Sequence, residues 1–433
     1  MKINKKAALH NLGCKVNAYE TEAMQQILEN AGYEIVPFTE YADVYVVNTC
    51  SVTNMADRKS RQMLHKAKKM NPDAIVVGAG CYVQTKEAEA LLDDTVDIVI
   101  GNNKKHELLA MLEAYENDHG KCGNVIDINH EKQEYEEMFL ERTAEHTRAF
   151  IKVQDGCNNA CTYCIVHVAR GRAVSRPLDE IVGECAAYAR AGVKEIVLTG
   201  INLGSYLQSA SSGRRLRLAG LLERLLDETA SLHDEGDPAC RFRISSIEPR
   251  DVDDDLIALL ADAHGRVCRH LHLPLQAGSS KVLREMARPY DAAFFLDLVM
   301  RLRETVPALS LSTDIIAGFP GETEDEFEET LSVARACGFS KIHAFPYSIR
   351  QGTPAAERRD QIAPDVKDER AARLRALAEE LRRRDFARRV GSRELVLVEQ
   401  EGRGMTESYF EVPVAGAAPT GSLVELPLSE MLA

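Results

Sequence analysis

Nowhere among its 433 residues does the chain carry the run of about 18 apolar residues that a transmembrane helix needs, which excludes an integral membrane protein. The opening "MKINKKAALHNLG" is basic but lacks the apolar stretch of a signal peptide, so a cytoplasmic location is expected. No low-complexity tract and no solenoid period is present. Positive charge is in short supply: 53 Lys and Arg stand against 67 Asp and Glu, a net charge of −14. That balance favours solubility but does not exclude nucleic acid, because phosphate contacts depend on local basic surface. Cysteine is plentiful by contrast. Eleven of them in a reducing compartment argue for metal binding or catalysis, not disulfides.

The length suits two or three domains. Residues 1–115 alternate apolar runs such as "DVYVVNT" and "AIVVGAG" with helical patterns, which predicts an α/β domain with a doubly wound parallel sheet. Residues 116–147 are polar and weakly periodic and read as a linker. Residues 148–388 repeat strand and helix through six units, the pattern of a partial (β/α)6 barrel with function at the carboxyl ends of its strands. Residues 389–433 hold β-type runs separated by glycine and proline and predict a small all-β domain.

The stretch "VQDGCNNACTYCIV" places Cys157, Cys161 and Cys164 in a C-x3-C-x2-C spacing just after the first barrel strand. Thiolates suit zinc or an iron–sulfur cluster. A structural zinc ion takes four ligands, and His167 is the only near candidate for the fourth. A [4Fe–4S] cube held by three cysteines would leave one iron open to a chelating small molecule. Three more cysteines, Cys14, Cys50 and Cys81, each follow an apolar run in the first domain. In a doubly wound sheet those strand ends share one edge, so residues far apart in sequence would meet in space and form a second three-cysteine set. Cys122, Cys185, Cys240, Cys268 and Cys337 lack partners at ligand spacing, and Cys185 and Cys337 read as core.

The triad in the barrel, with Tyr163 before its last cysteine, resembles the radical S-adenosylmethionine superfamily. That resemblance implies that the open iron chelates S-adenosylmethionine, whose reductive cleavage gives a 5′-deoxyadenosyl radical. Further strand ends match. "LTGINLGSY" implicates Thr199, Gly200 and Asn202 beside the methionine moiety, and "ISSIEP" implicates Ser245, Ser246 and Glu248 near the ribose and amino acid. "HLPLQAGS" contributes Gln276, and "DIIAGFPGET" contributes Gly318 and Gly321, expected to let the backbone approach the adenine.

Two cysteine triads in this order, together with "RGRAVSRPLDEI", resemble the methylthiotransferases over nearly the whole chain. The resemblance implies an auxiliary-cluster domain, a radical barrel and a C-terminal β domain of the TRAM type. It implies two [4Fe–4S] clusters and two S-adenosylmethionines per turnover, one methylating a cluster-bound sulfur and one activating a C–H bond. The implied partners are the tRNA anticodon stem-loop, a flavodoxin- or ferredoxin-type electron donor and a sulfur donor, with a monomer expected and no membrane. "LGCKVN" around Cys14 is most similar to the branch that modifies C2 of N6-threonylcarbamoyladenosine at adenosine 37. Isopentenyladenosine in tRNA or a ribosomal-protein aspartate are the alternatives within the family. An iron–sulfur electron carrier and a zinc-stabilised RNA-binding protein are the alternatives outside it.

"IVHVARGR" after Cys164 and Ala160 within the loop depart from the family pattern, which bears on packing around that loop and not on the ligands. Two basic stretches, "DRKSRQMLHKAKK" after Cys50 and "RALAEELRRRDFARRVGSR" before the tail, suggest a track for RNA. Each alone reads more readily as a solvated helix face. Arg350 either faces the pocket or pairs with a carboxylate, and His272 reads as a structural histidine.

Overall fold

In the first domain the strands follow one another with crossover helices, so they pair in parallel. The computed structural model describes all residues apart from 1–4, 119, 129, 132, 141–146, 210–214, 234–237, 264, 417 and 433. Six strands form one parallel sheet: β1 (Lys6–Asn11), β2 (Glu34–Ile35), β3 (Val44–Thr49), β4 (Ile75–Gly80), β5 (Ile98–Ile100) and β6 (Cys122–Asn124), in the order β2-β1-β3-β4-β5-β6. Strand β3 is buried at every residue, as a strand covered on both faces must be. Its Val44 and Val46 face α1 (Lys15–Asn30) and the barrel core, while Tyr45 and Val47 face α2 (Asn54–Met70). Chain direction around the sheet reverses between β1 and β3, a topological switch point of the kind where ligands gather.

The stretch read as a linker is not one throughout. Helix α3 (Leu108–Asp118) runs into it, and Cys122–Asn124 forms the edge strand β6. Further on, Tyr135 donates to the carbonyl of Lys152, and Met138 and Leu140 are buried. The segment therefore packs against both flanking domains; its residues 141–146 lie outside the described ones. "CGN" carries no β-branched residue, so it gave no strand signal.

The barrel holds β7 (Ala149–Lys152), β8 (Glu195–Thr199), β9 (Arg241–Ile244), β10 (His270–His272), β11 (Ser310–Ala317) and β12 (Lys341–Pro346). They form two three-stranded parallel sheets, joined by the bridges Phe242–Val267 and Ser246–His272. Helices α4 (Leu178–Arg190), α5 (Leu218–Glu228), α6 (Asp254–Asp262), α7 (Ala292–Thr305) and α8 (Glu324–Cys337) cover the outside. Strand alternation sorts the side chains. Ile196, Leu198, Phe242, Ile244, Leu271 and Leu311 join the helix-facing core, where Cys185 and Cys337 also sit. The alternate positions turn Thr199, Arg243, Ser245, His272, Asp314 and His343 to the lumen.

A long helix, α9 (Pro364–Ala387), leads to a four-stranded antiparallel sheet of β13 (Arg393–Gln400), β14 (Arg403–Thr406), β15 (Glu411–Pro413) and β16 (Leu423–Pro427). Phe386, Val396, Val398 and Phe410 form its own small core. Among the described residues no helix is long and apolar enough to cross a membrane.

A buried carboxylate fixes this last domain to the barrel. Glu195 accepts from Arg241 Nε and Arg243 Nε, both at 2.7 Å. The two guanidiniums then donate across the boundary to the carbonyls of Leu395, Met405, Thr406 and Glu407. Burial alone would raise the Glu195 carboxyl, but Arg243 and Arg241 outweigh it and hold the group well below the usual carboxylate range. Breaking such a site leaves buried charge without a partner, which costs about 3–5 kcal/mol. Glu195→Ala should therefore lower stability by about that amount in chemical denaturation, with proteolysis near the α9–β13 junction speeding up first. Unchanged denaturation and unchanged cleavage would show that other contacts anchor the domain.

Candidate active site

Cys14 caps the start of α1 directly after β1, Cys50 follows β3, and Cys81 follows β4. All three thus lie at the carboxyl ends of strands beside the switch point. Gly13 has φ +107°, and a Cβ on it would sit 2.9 Å from Cys50 Sγ. Only glycine lets the Cys14 loop come that close to Cys50. Gly80, before Cys81, is likewise left-handed, and its missing Cβ makes room for Asn48 Oδ1 and the Thr49 carbonyl. Asn102 Nδ2 lies 3.5 Å from Cys81 Sγ and donates at 2.7 Å to the carbonyl of Ala169, in the loop after the barrel cysteines. Burial pushes the Cys50 thiol up to about 11, and the neighbouring thiols of Cys81 and Cys14 add to the rise. A cation among the three would reverse that balance and hold them as thiolates.

The second triad leaves β7 through Gly156, whose Cβ would collide with the carbonyls of Arg172 and Gly171. Its sulfurs already receive donors. The amides of Asn159 and Val166 point at Cys157 Sγ and Cys164 Sγ, both at 3.4 Å, and Arg288 Nη1 lies 3.2 Å from Cys161 Sγ. Arg288 also donates to Glu248 and to Tyr290. Burial pushes the Cys164 thiol up to about 12.

The spacing of the sulfurs discriminates between metals. Among the described residues, one group of three His, Cys, Asp or Glu brings its ligand atoms within 4.8 Å of one another, and it is His272, Asp314 and His343. Neither cysteine triad is that tight, with or without His167. A single zinc ion with Zn–S bonds of about 2.3 Å would hold its thiolates within about 4 Å. A cube in which each thiolate takes its own iron needs no such convergence, so a set of three thiols suits a cluster.

The strand-end residues take varied places. Thr199 is buried at the end of β8. Gly200 lies against the Gln154 side chain, and Gln154 Oε1 also accepts from the Asn202 amide at 2.9 Å. Asn202 Oδ1 and Ser245 Oγ are buried without a hydrogen-bond partner, as groups awaiting a polar ligand would be. Ser246 bridges to His272, and Glu248 accepts from Asn159 Nδ2 at 3.3 Å, above the cysteine loop. Gln276 adopts φ +66°, and its amide donates to the Asp314 carbonyl. Tyr163 is half-buried on the loop itself. Gly318 and Gly321 are both left-handed, and the room left by their missing Cβ atoms is filled by Lys367 of α9 and by Asp360 and Arg358. Tertiary packing is thus one reason for glycine at those two positions.

One buried network joins the domain that carries the first triad to the barrel segment that carries the second. Glu20, on α1 six residues after Cys14, pairs with Lys152 of β7 at 2.8 Å, with Arg170 at 2.9 Å and with Lys105 at 3.0 Å. Arg170 also pairs with Asp155 at 3.0 Å and donates to Asn17 at 2.8 Å. Arg350 takes the carboxylate alternative: it pairs with Asp57 at 2.8 Å and donates to Ser51, tying the last barrel strand to the loop after Cys50. Sequence reasoning missed Glu20, Asn102 and Arg288. Arg288 stands 127 residues from Cys161, and no spacing rule links them.

The first basic stretch exposes Arg58, Lys59, Arg61, Lys66 and Lys69 along α2. In the second, Arg383 pairs with Glu379, Arg388 and Arg389 with Asp385, and Arg393 with Glu425, while Arg375 and Arg384 are exposed.

Known proteins place this geometry. The model described as Uncharacterized protein family UPF0004 matches residues 6–101, and that of the Radical SAM superfamily matches residues 151–334. The chain is 40% identical to the threonylcarbamoyladenosine tRNA methylthiotransferase MtaB of Bacillus subtilis, over 94% of this chain and 90% of that one. It is 34% identical to the tRNA-2-methylthio-N(6)-dimethylallyladenosine synthase of Carboxydothermus hydrogenoformans, over 95% and 91%. In fold it is similar to the radical S-adenosylmethionine methyltransferase TsrM of Kitasatospora setae, with a TM-score of 0.59 at 17% identity, covering 82% of this chain and 77% of that one. A [4Fe–4S] cluster and S-adenosylmethionine go with the radical superfamily to which the barrel belongs. With relatives this similar along nearly their whole length, the chain belongs to the radical S-adenosylmethionine tRNA methylthiotransferases.

Proposed function

We propose that the protein places a methylthio group on C2 of N6-threonylcarbamoyladenosine at adenosine 37 of tRNA. In this reading residues 1–115 form the auxiliary-cluster domain, 148–388 the radical barrel and 389–433 a TRAM-type domain. Cys14, Cys50 and Cys81 hold one [4Fe–4S] cluster, and Cys157, Cys161 and Cys164 hold the other. When bound, the clusters and two S-adenosylmethionines supply sulfur methylation and hydrogen abstraction from a carbon that carries no acidic proton. What supports the reading is a three-cysteine set in each of two domains that Glu20 and Arg170 join, with Asn102 touching both Cys81 and the segment after the barrel cysteines.

The chain's own groups have definable tasks. Asn202 Oδ1 and Ser245 Oγ take polar groups of S-adenosylmethionine, with Thr199, Gly200, Ser246, Glu248, Gln276 and Tyr163 around them. Arg288 puts positive charge beside Cys161 and so favours the reduced cluster. The exposed cations of α2 meet the RNA backbone near the anticodon stem-loop. Electrons come from a flavodoxin- or ferredoxin-type donor and sulfur from a separate donor, and the protein works as a cytoplasmic monomer. Two observations favour the threonylcarbamoyl substrate. Relatives bearing that name reach 40% identity, and the lumen positions His272, Asp314 and His343 are polar, a poor match for a bare isopentenyl chain.

Deleting the gene from its source organism should remove 2-methylthio-N6-threonylcarbamoyladenosine from tRNA and leave the unthiolated nucleoside, read by nucleoside mass spectrometry. Loss of a 2-methylthio isopentenyl nucleoside instead would transfer the enzyme to the other branch. In the purified enzyme, Cys14→Ala should abolish methylthio product while 5′-deoxyadenosine still forms uncoupled from it; product from that variant would refute the division of labour. Arg288→Met removes a cation and donor from Cys161 and should lower the barrel cluster's midpoint potential by on the order of 60 mV, equivalent to about 1.4 kcal/mol. An EPR-monitored redox titration that finds the potential unmoved or raised would contradict that role.

A further inference from the structure

The barrel lumen carries positive charge with no carboxylate partner. Lys15, the residue after Cys14, reaches in from α1, and Lys341 points in from the start of β12. Their ammoniums lie 6.0 Å and 5.7 Å from the ring centre of Tyr409. Among the described residues neither has a carboxylate within ion-pair distance. The other lumen charges are taken. Arg241 and Arg243 hold Glu195, Arg148 holds Glu399 at 2.6 Å, and Arg269 holds Glu407 at 2.8 Å.

Tyr409 comes from the C-terminal domain at φ +70°. A non-glycine residue there is strained by about 1–3 kcal/mol, and such strain persists where the surroundings impose it. Here the turn is closed by Tyr409 and Phe410 amides on Thr406, and the ring stacks on His270 at 4.8 Å. The ring thus forms a wall beside the two ammoniums.

His272, Asp314 and His343 lie next to them, and their ligand atoms could hold a divalent cation. The same two lysines bear on His343, however, and oppose added positive charge. Asp314 already faces His272 Nε2 at 3.4 Å. Glu195 and Asp314, the lumen's anions, are thus engaged by Arg241, Arg243 and His272, and neither pairs with the two lysines. Phe345, two residues beyond His343 on β12 and 45% exposed, marks the mouth on the same strand face, where a base could stack.

We infer that Lys15 and Lys341, walled by Tyr409, receive the carboxylate of the substrate's threonyl group and so select N6-threonylcarbamoyladenosine over uncharged N6 substituents. This rests on the substrate reading above. It places the reading group one residue from Cys14, so recognition and sulfur delivery share one loop.

The test uses the full chain, reconstituted with iron and sulfide, and an anticodon stem-loop RNA whose threonyl carboxylate is free or converted to its amide. The backbone phosphates are the same in both RNAs, so a phosphate contact cannot mimic the result. Wild type should bind the acid at least about tenfold tighter than the amide, the worth of one charge-assisted hydrogen bond. Lys341→Met and Lys15→Met should lose that preference with iron content unchanged and with amide affinity within about twofold of wild type. Equal binding of acid and amide by wild type overturns the proposal without any variant, as does full discrimination kept by both variants. Methylthio product from isopentenyladenosine RNA alone would overturn the substrate reading and this inference with it. Product made equally well from acid and amide would overturn only the inference.

Discussion

A carboxylate on α1 and a guanidinium in the barrel loop govern the arrangement of this molecule. Glu20 and Arg170 meet in a dry interface with Lys105, Lys152 and Asp155, three cations against two anions. Buried charges of this kind give little net stability against an apolar alternative, but they tolerate few geometries. Each must find its partners or remain uncompensated. The network therefore acts as a register device: it fixes how the α1 end of the first domain meets the loop after β7. Asn102 extends the same logic, touching Cys81 on one side and the barrel loop on the other.

Electrostatics is also how the third domain is held. Its own apolar core is small, built around Phe410 and three strands' worth of valine. Instead of a broad greasy interface it offers backbone carbonyls to Arg241 and Arg243, which are themselves pinned by Glu195. The docking is directional, and it delivers one strained turn, with Tyr409, into the barrel. A domain that the sequence marks only as a β-rich tail thus contributes side chains to the central chamber.

Much of this was legible beforehand, and the reasons are physical. Apolar runs with crossover helices announce parallel sheets, and cysteines at the ends of three such runs announce convergence, because sheet geometry brings those ends together. Cys14, Cys50 and Cys81 needed no further signal. The edge strand Cys122–Asn124 was hidden because three residues without β-branching carry no period. Gly318 and Gly321 were given a ligand's reason, and packing against Lys367, Arg358 and Asp360 supplies a second that no local spacing announced. Arg288 and Glu20 escaped because long-range ion pairs leave no trace in local spacing. The basic stretch before the tail looked like an RNA surface until its carboxylate partners, one turn away on the helix or across the sheet, were in view.

The two triads differ in one respect that concerns maintenance. The barrel cysteines sit on a single short loop, whereas the other three are carried by separate strands of a sheet whose central members are fully buried. Gly13 and Gly80 shape the approach of those strand ends before any iron arrives. The framework around those three thiols is therefore supplied by the sheet itself and does not depend on what they bind. Under the proposed reading, a lost inorganic core is replaced without unfolding the domain that houses it.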